Sequence, residues 1–79
     1  MTNYNKPVTE EVKFSAIQFA QSCRDMNTID ELKRAIESPD VTDMETWNLT
    51  QSEYLWALNA AIYAIENDAG IMDDGRIPL

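Results

Sequence analysis

The sequence predicts an all-α fold: a small three-helix domain with a long apolar third helix and an acidic loop between the second and third helices. Three observations predict it. Apolar residues recur at three- and four-residue intervals, the spacing of one helix face. Thr28-Ile29-Asp30-Glu31, Thr42-Asp43-Met44-Glu45 and Thr50-Gln51-Ser52-Glu53 each fit the capping box that opens helices. No stretch alternates β-branched and polar residues over a useful strand length.

The 79 residues suffice for one domain. Its expected layout is a flexible tail over 1–8, a helical domain over 9–70, and a C-terminal tail over 71–79 packed back onto it. The first helix is expected from Thr9, which caps it, to Asp25. Glu10 and Glu11 follow in the first turn, where acids suit the helix dipole. Val12, Ala16, Phe19, Ala20 and Cys23 share one face, broadened by Phe14 and Ile17.

Thr28 caps the second helix, with Ile29, Leu32, Ala35 and Ile36 on one side. Pro39 disfavours helix at Ser38, so this helix ends near Glu37. Ser38 to Asn48 is expected as the acidic loop, with one turn of helix after Thr42 and with Trp47 anchoring it to the core.

The third helix runs from Thr50 to Asp68, with Leu49 and Tyr54 at the hydrophobic-staple positions and Gly70 as its C′ residue. Leu55, Leu58, Ile62 and Ile65 form its expected packing seam. Tyr54, Trp56, Ala57, Ala60, Ala61, Tyr63 and Ala64 cover most other directions, so the helix is central or shared with a partner. Trp56 and Tyr63 share a face away from the seam; exposure of either marks an interface. Asp73-Asp74-Gly75 signals a turn within the tail, and Ile71, Met72, Ile77 and Leu79 are expected to fold back onto the third helix.

Chemistry narrows the function. The chain has no histidine, so the commonest general base and the Ser-His-Asp and Cys-His arrangements are absent. Cys23 is the one cysteine, which excludes an intrachain disulfide, and its place on an apolar face makes it a buried structural thiol. Gly70 and Gly75 are the only glycines, so there is no phosphate loop. Asp68-Ala69-Gly70-Ile71-Met72 breaks a calcium-loop pattern. The expectation is therefore a non-enzyme with no metal and no cofactor.

One cysteine and no secretory pattern predict a cytoplasmic setting. The longest near-apolar run, Tyr54 to Ile65, is too short to span a bilayer, so no membrane role is expected.

Charge placement is the most informative feature. Net charge is −8; residues 1–34 carry five acids and five bases, whereas 35–79 carry nine acids and one base. A like-charged surface repels a duplex, so direct nucleic-acid binding is not expected. The same surface suits a partner with a basic groove. The residues expected to meet it are Asp30, Glu37, Asp40, Asp43, Glu45, Trp47, Glu53, Glu66, Asp68, Asp73 and Asp74.

The leading expectation is an acidic, protein-binding inhibitor or modulator. It presents a phosphate-mimicking surface to a nucleic-acid-acting protein, as small phage-encoded DNA mimics do. A homodimer or larger assembly built on the apolar third helix is a further reading.

Thr28 through Glu37, then Leu49-Thr50 through Glu53 to Ala60-Ala61, with Cys23 before Thr28, resembles the Hha/YmoA family over about Phe14 to Ile65. Those are small helical bacterial proteins that bind the nucleoid protein H-NS. The resemblance implies a helical accessory protein for H-NS-type partners, with Asp30 at the position of the family's H-NS contact. The chain differs in its longer Ser38–Asn48 stretch, in Ile62-Tyr63-Ala64 where the family is polar, and in lacking most of the family's basic residues.

Overall fold

The three helices that follow residue 26 each start where a side chain accepts an orphan N–H of the first turn. The computed structural model describes residues 14–77. The expected tail over 1–8, the Thr9 cap with Glu10, Glu11 and Val12, and Leu79 lie outside the described residues. Within them the chain is all-α, in the order α1 (Phe14–Met26), α2 (Ile29–Glu37), α3 (Val41–Trp47) and α4 (Gln51–Glu66).

Two of the three expected capping boxes form. Thr28 accepts the Glu31 N–H at 3.2 Å while Glu31 accepts the Thr28 N–H at 2.9 Å. Thr50 and Glu53 repeat the arrangement at the same two distances. Leu49 and Tyr54 are both buried beside the second box, as a hydrophobic staple requires.

The third box is corrected. The acidic segment is not a loop with one turn after Thr42 but a seven-residue helix whose cap lies two residues earlier. Its cap is Asp40, whose carboxylate accepts the Thr42 N–H at 2.9 Å. At its far end Asn48 turns left-handed at φ 56°. There the Leu49 N–H reaches the Met44 carbonyl at 2.8 Å, closing the helix with a Schellman motif. A helix this short is unstable alone. It is held by the rest of the molecule: Trp47 packs on Phe19 of α1 with ring centroids 5.3 Å apart.

α4 is the central element and packs against α1 and α2. Its buried face is not the expected Leu55–Leu58–Ile62–Ile65 seam. Only Leu58 of that set is fully buried; Tyr54, Ala57, Ala60, Ala61 and Ala64 supply the rest. The reason lies across the interface, where α1 offers Ala16 and Ala20, both with no exposed surface. Small residues on both helices let the backbones approach closely. Leu55, Ile62 and Ile65 are turned aside and only partly buried. Phe14, expected on the α1 core face, is also exposed, at 59%.

α4 ends at Glu66, earlier than the expected Asp68, and Gly70 is not its C′ residue. Asp68 takes the left-handed position at φ 52°. The Asp68 N–H reaches the Ile65 carbonyl at 3.2 Å and the Ala69 N–H reaches that of Ala64 at 2.8 Å. A short polar residue tolerates this conformation through local hydrogen bonding, so glycine is not required.

The C-terminal segment does fold back. Ile71 and Ile77 are buried, and Met72 to Arg76 form a tight loop with Gly75 at φ 82°. Met72, expected to fold back with them, is instead 46% exposed. Two α1 side chains clamp the segment: Gln21 donates to the Ile71 carbonyl at 2.9 Å and Arg24 to that of Ala69 at 2.6 Å.

Candidate protein-binding surface

Four of the expected acids lie exposed along α2 and α3. Asp30 lies in the first turn of α2, Glu37 at its last residue, and Asp40 and Glu45 at the cap and on the outer side of α3; all four are exposed. Among the described residues, side-chain ion pairs join Arg24 to Asp25 and Arg76 to Asp74. Asp30, Glu37, Asp40 and Glu45 therefore carry charge with no internal counter-ion among those residues.

The second half of the expected site lies elsewhere. Glu66 ends α4, Asp68 follows it, and Asp73 and Asp74 sit in the C-terminal loop; all are exposed. α4 has 16 residues and is about 24 Å long at roughly 1.5 Å per residue. The α3 acids precede its start and the Glu66 group follows its end. The α3 acids and Glu66 thus lie at opposite ends of α4, so the expected acids do not form one patch. The second group is also partly engaged. Asp74 accepts the Arg76 backbone N–H at 3.0 Å, and Asp73 lies 3.5 Å from the Gln21 amide.

Glu53 does not belong to either group. It is 7% exposed, and its carboxylate accepts the Thr50 N–H inside the α4 cap. A capping residue beside a hydrophobic staple is drawn into the core, so its inclusion among the surface acids is corrected. Trp47 is half-buried against Phe19, which serves the anchoring role expected of it while leaving part of the indole accessible.

Where α1, α2, α3 and α4 converge they leave a cleft of about 240 Å³. Its walls are Phe19, Trp47 and Tyr54; Cys23 lies within it, and Asp43 and Glu31 contribute carboxylates. Asp43 is half-buried, and no hydrogen bond or ion pair reaches its carboxylate among the described residues.

The cause is local. Asp43 occupies the N3 position of α3, from which Glu31 and Glu53 reach back to their cap N–H groups. In α3 the cap N–H, that of Asp40, donates instead to the Tyr54 hydroxyl at 3.2 Å. Asp43 is left facing the cleft. Its charge acts on its neighbours: burial, then the nearby Asp43 carboxylate, push the Cys23 thiol up to about 12. Burial raises Tyr54 as well, with Asp43 and Asp40 adding to the effect. Both groups are neutral at ordinary pH. The free cysteine is buried, as its position on the apolar face of α1 implies.

Sequence reasoning did not find Glu31, Phe19, Cys23 and Tyr54 as cleft residues. The sequence pattern puts Glu45 at the N3 position of the acidic segment; only the folded chain, with its cap at Asp40, puts Asp43 there and shows it released from capping. Among the described residues no group of three or more acidic or cysteine side chains is arranged to hold a metal ion. No described helix is long and apolar enough to cross a membrane.

Compared with protein-family models, curated proteins and solved structures, the chain matches none of them.

Proposed function

We propose that this chain is a non-catalytic protein-binding inhibitor or modulator that presents the α2–α3 acids to a basic surface. The partner is a nucleic-acid-acting protein whose groove selects negative charge, and the chain is of the kind that phage and mobile elements encode. The observation that carries this reading is the set Asp30, Glu37, Asp40 and Glu45: exposed, close in sequence on two successive helices, and without internal counter-ions among the described residues. A protonated Cys23 and the absence of histidine favour binding over catalysis.

Surface charges lose their reach within a Debye length of about 8 Å at physiological salt, so capture of the partner weakens steeply as salt rises. The test is a pull-down from bacterial lysate at low and high salt, read by mass spectrometry. It uses the unsubstituted chain and a variant with Asp40→Lys, Asp43→Lys and Glu45→Lys. A nuclease, recombination or polymerase factor captured at low salt only, and lost with the triple variant, is the expected result. Equal capture by both chains removes the reading.

The Hha-like alternative draws support from Asp30, which is exposed at the start of α2 with no ion pair among the described residues. It predicts that Asp30→Asn abolishes binding to an H-NS-type protein while the α3 acids are dispensable. The self-association alternative draws support from Leu55, Trp56, Ile62 and Tyr63, which remain only partly buried on one side of α4. Light scattering that returns a monomer at high concentration counts against it.

A further inference from the structure

We propose that the cleft between the four helices receives one arginine side chain of a basic partner protein, with Asp43 as its counter-charge and Trp47 as its aromatic wall. This rests on the acidic-surface reading and says where that binding is anchored.

Three features select the occupant. The first is charge. Among the described residues Asp43 is half-buried with an unpartnered carboxylate, Glu31 adds a second acid, and no lysine or arginine lines the cleft. A partly desolvated carboxylate without a partner is costly, and a cation relieves that cost. Cys23 and Tyr54 stay protonated, so they neither supply a counter-charge nor dilute the field of Asp43.

The second is size. At about 240 Å³ the cleft falls below the roughly 300–1,000 Å³ of small-molecule pockets. It suits one side chain better than a free metabolite.

The third is wall chemistry. Trp47 contacts Phe19 at a 52° tilt and is only half-buried, leaving indole surface for a ligand. A guanidinium stacks on aromatic faces and pairs with a carboxylate through two parallel N–H donors. An ammonium has only a compact point charge. The arginine stem lies against the accessible part of Trp47, and its head reaches Asp43; Phe19 and Leu58, nearly covered, form the floor beneath.

The experiment is a titration of the isotope-labelled chain with N-acetyl-arginine amide, followed by NMR. Sodium chloride at matched ionic strength and N-acetyl-lysine amide are the comparisons. The expected result is a saturable shift centred on the Trp47 indole and the Cys23 and Asp43 amides, weaker with the lysine amide and absent with salt. Asp43→Asn weakens arginine binding about tenfold, the loss of one charged hydrogen-bonded contact. Asp73→Asn with Asp74→Asn leaves it unchanged.

Shifts reproduced by salt, shifts spread over the outer acids of α2 and the C-terminal loop, equal response to lysine, or full binding by Asp43→Asn each overturn the proposal. The position of the shifts in the unsubstituted chain decides the matter if Asp43→Asn folds poorly. Salt-sensitive partner capture without any local arginine shift removes the cleft and leaves the acidic surface. Local arginine shifts without partner capture do the reverse.

Discussion

The Tyr54 hydroxyl of α4 accepts the backbone N–H of Asp40, the cap of α3, at 3.2 Å. Tyr54 is 1% exposed, so this bond ties the seven-residue α3 to a buried phenol of α4. It also leaves Asp43 facing the cleft. Tyr54→Phe keeps the ring stacked on Phe19, 5.5 Å away, and removes only the hydroxyl. The expected cost is about 1 kcal/mol. Because α3 has little stability of its own, amide exchange over residues 41–47 accelerates more than global unfolding does. Hydrogen exchange by NMR checks this; unchanged protection of α3 rules the tether out.

The α1–α4 contact makes the opposite prediction from the expected leucine seam. Ala61 has no exposed surface and Ile62 is only partly buried. Ala61→Leu overpacks the interface and costs about 1–3 kcal/mol. Ile62→Ala costs less than the roughly 2–5 kcal/mol of a fully buried isoleucine. Urea denaturation of the two variants decides between the faces, since a leucine seam requires the reverse order.

What was legible in the sequence, and what was not, follows the range of the interactions. The Thr28 and Thr50 boxes involve residues three apart, so the sequence shows them directly, and both ends formed. For α3 the sequence shows no more than a loop with one helical turn, because its cap follows Pro39 and its support comes from Phe19 and Tyr54, far away in the chain. The core side of α4 is not legible for a different reason. When nearly every face is apolar, periodicity has no direction, and the choice fell to Ala16 and Ala20 on α1. Glu53 was assigned to the surface although it also completes a cap; the cap placed it in the core. The cleft is formed by four elements meeting, which no local pattern encodes.

The two capping boxes differ in burial, and their deletion energies differ accordingly. Glu31 is exposed, whereas Glu53 is buried. Thr28→Ala removes a solvent-facing cap and costs about 1 kcal/mol; Thr50→Ala disturbs a buried one and costs about 2 kcal/mol. Thermal and chemical denaturation of both variants measures this, and equal losses contradict the role given to the burial of Glu53.

Acid affects the α2 cap through Glu31. The Thr28 backbone N–H holds its carboxyl below the ordinary value of 4.5 in the folded chain. A depressed folded value means a contribution present above 4.5 and lost as pH falls through the lower folded value. Glu31→Gln therefore flattens the acid limb of the Tm–pH curve and leaves the neutral region nearly parallel to that of the unsubstituted chain. An acid limb of unchanged slope rejects this coupling.

Base acts through Cys23. Burial, reinforced by Asp43, raises its thiol from 9.0 to about 12. The unfolded chain then loses this proton at lower pH than the folded chain. The contribution to stability is complete below about 9, declines as pH rises, and levels off beyond about 12. Cys23→Ala removes that part of the alkaline slope. A shallower slope remains from Tyr54, whose hydroxyl is also raised by burial. The same burial makes the native thiol slow toward a disulfide reagent at mildly alkaline pH, with the rate rising in denaturant as the chain opens. Fast modification of the folded chain, or an alkaline slope untouched by Cys23→Ala, contradicts a thiol kept neutral inside the cleft.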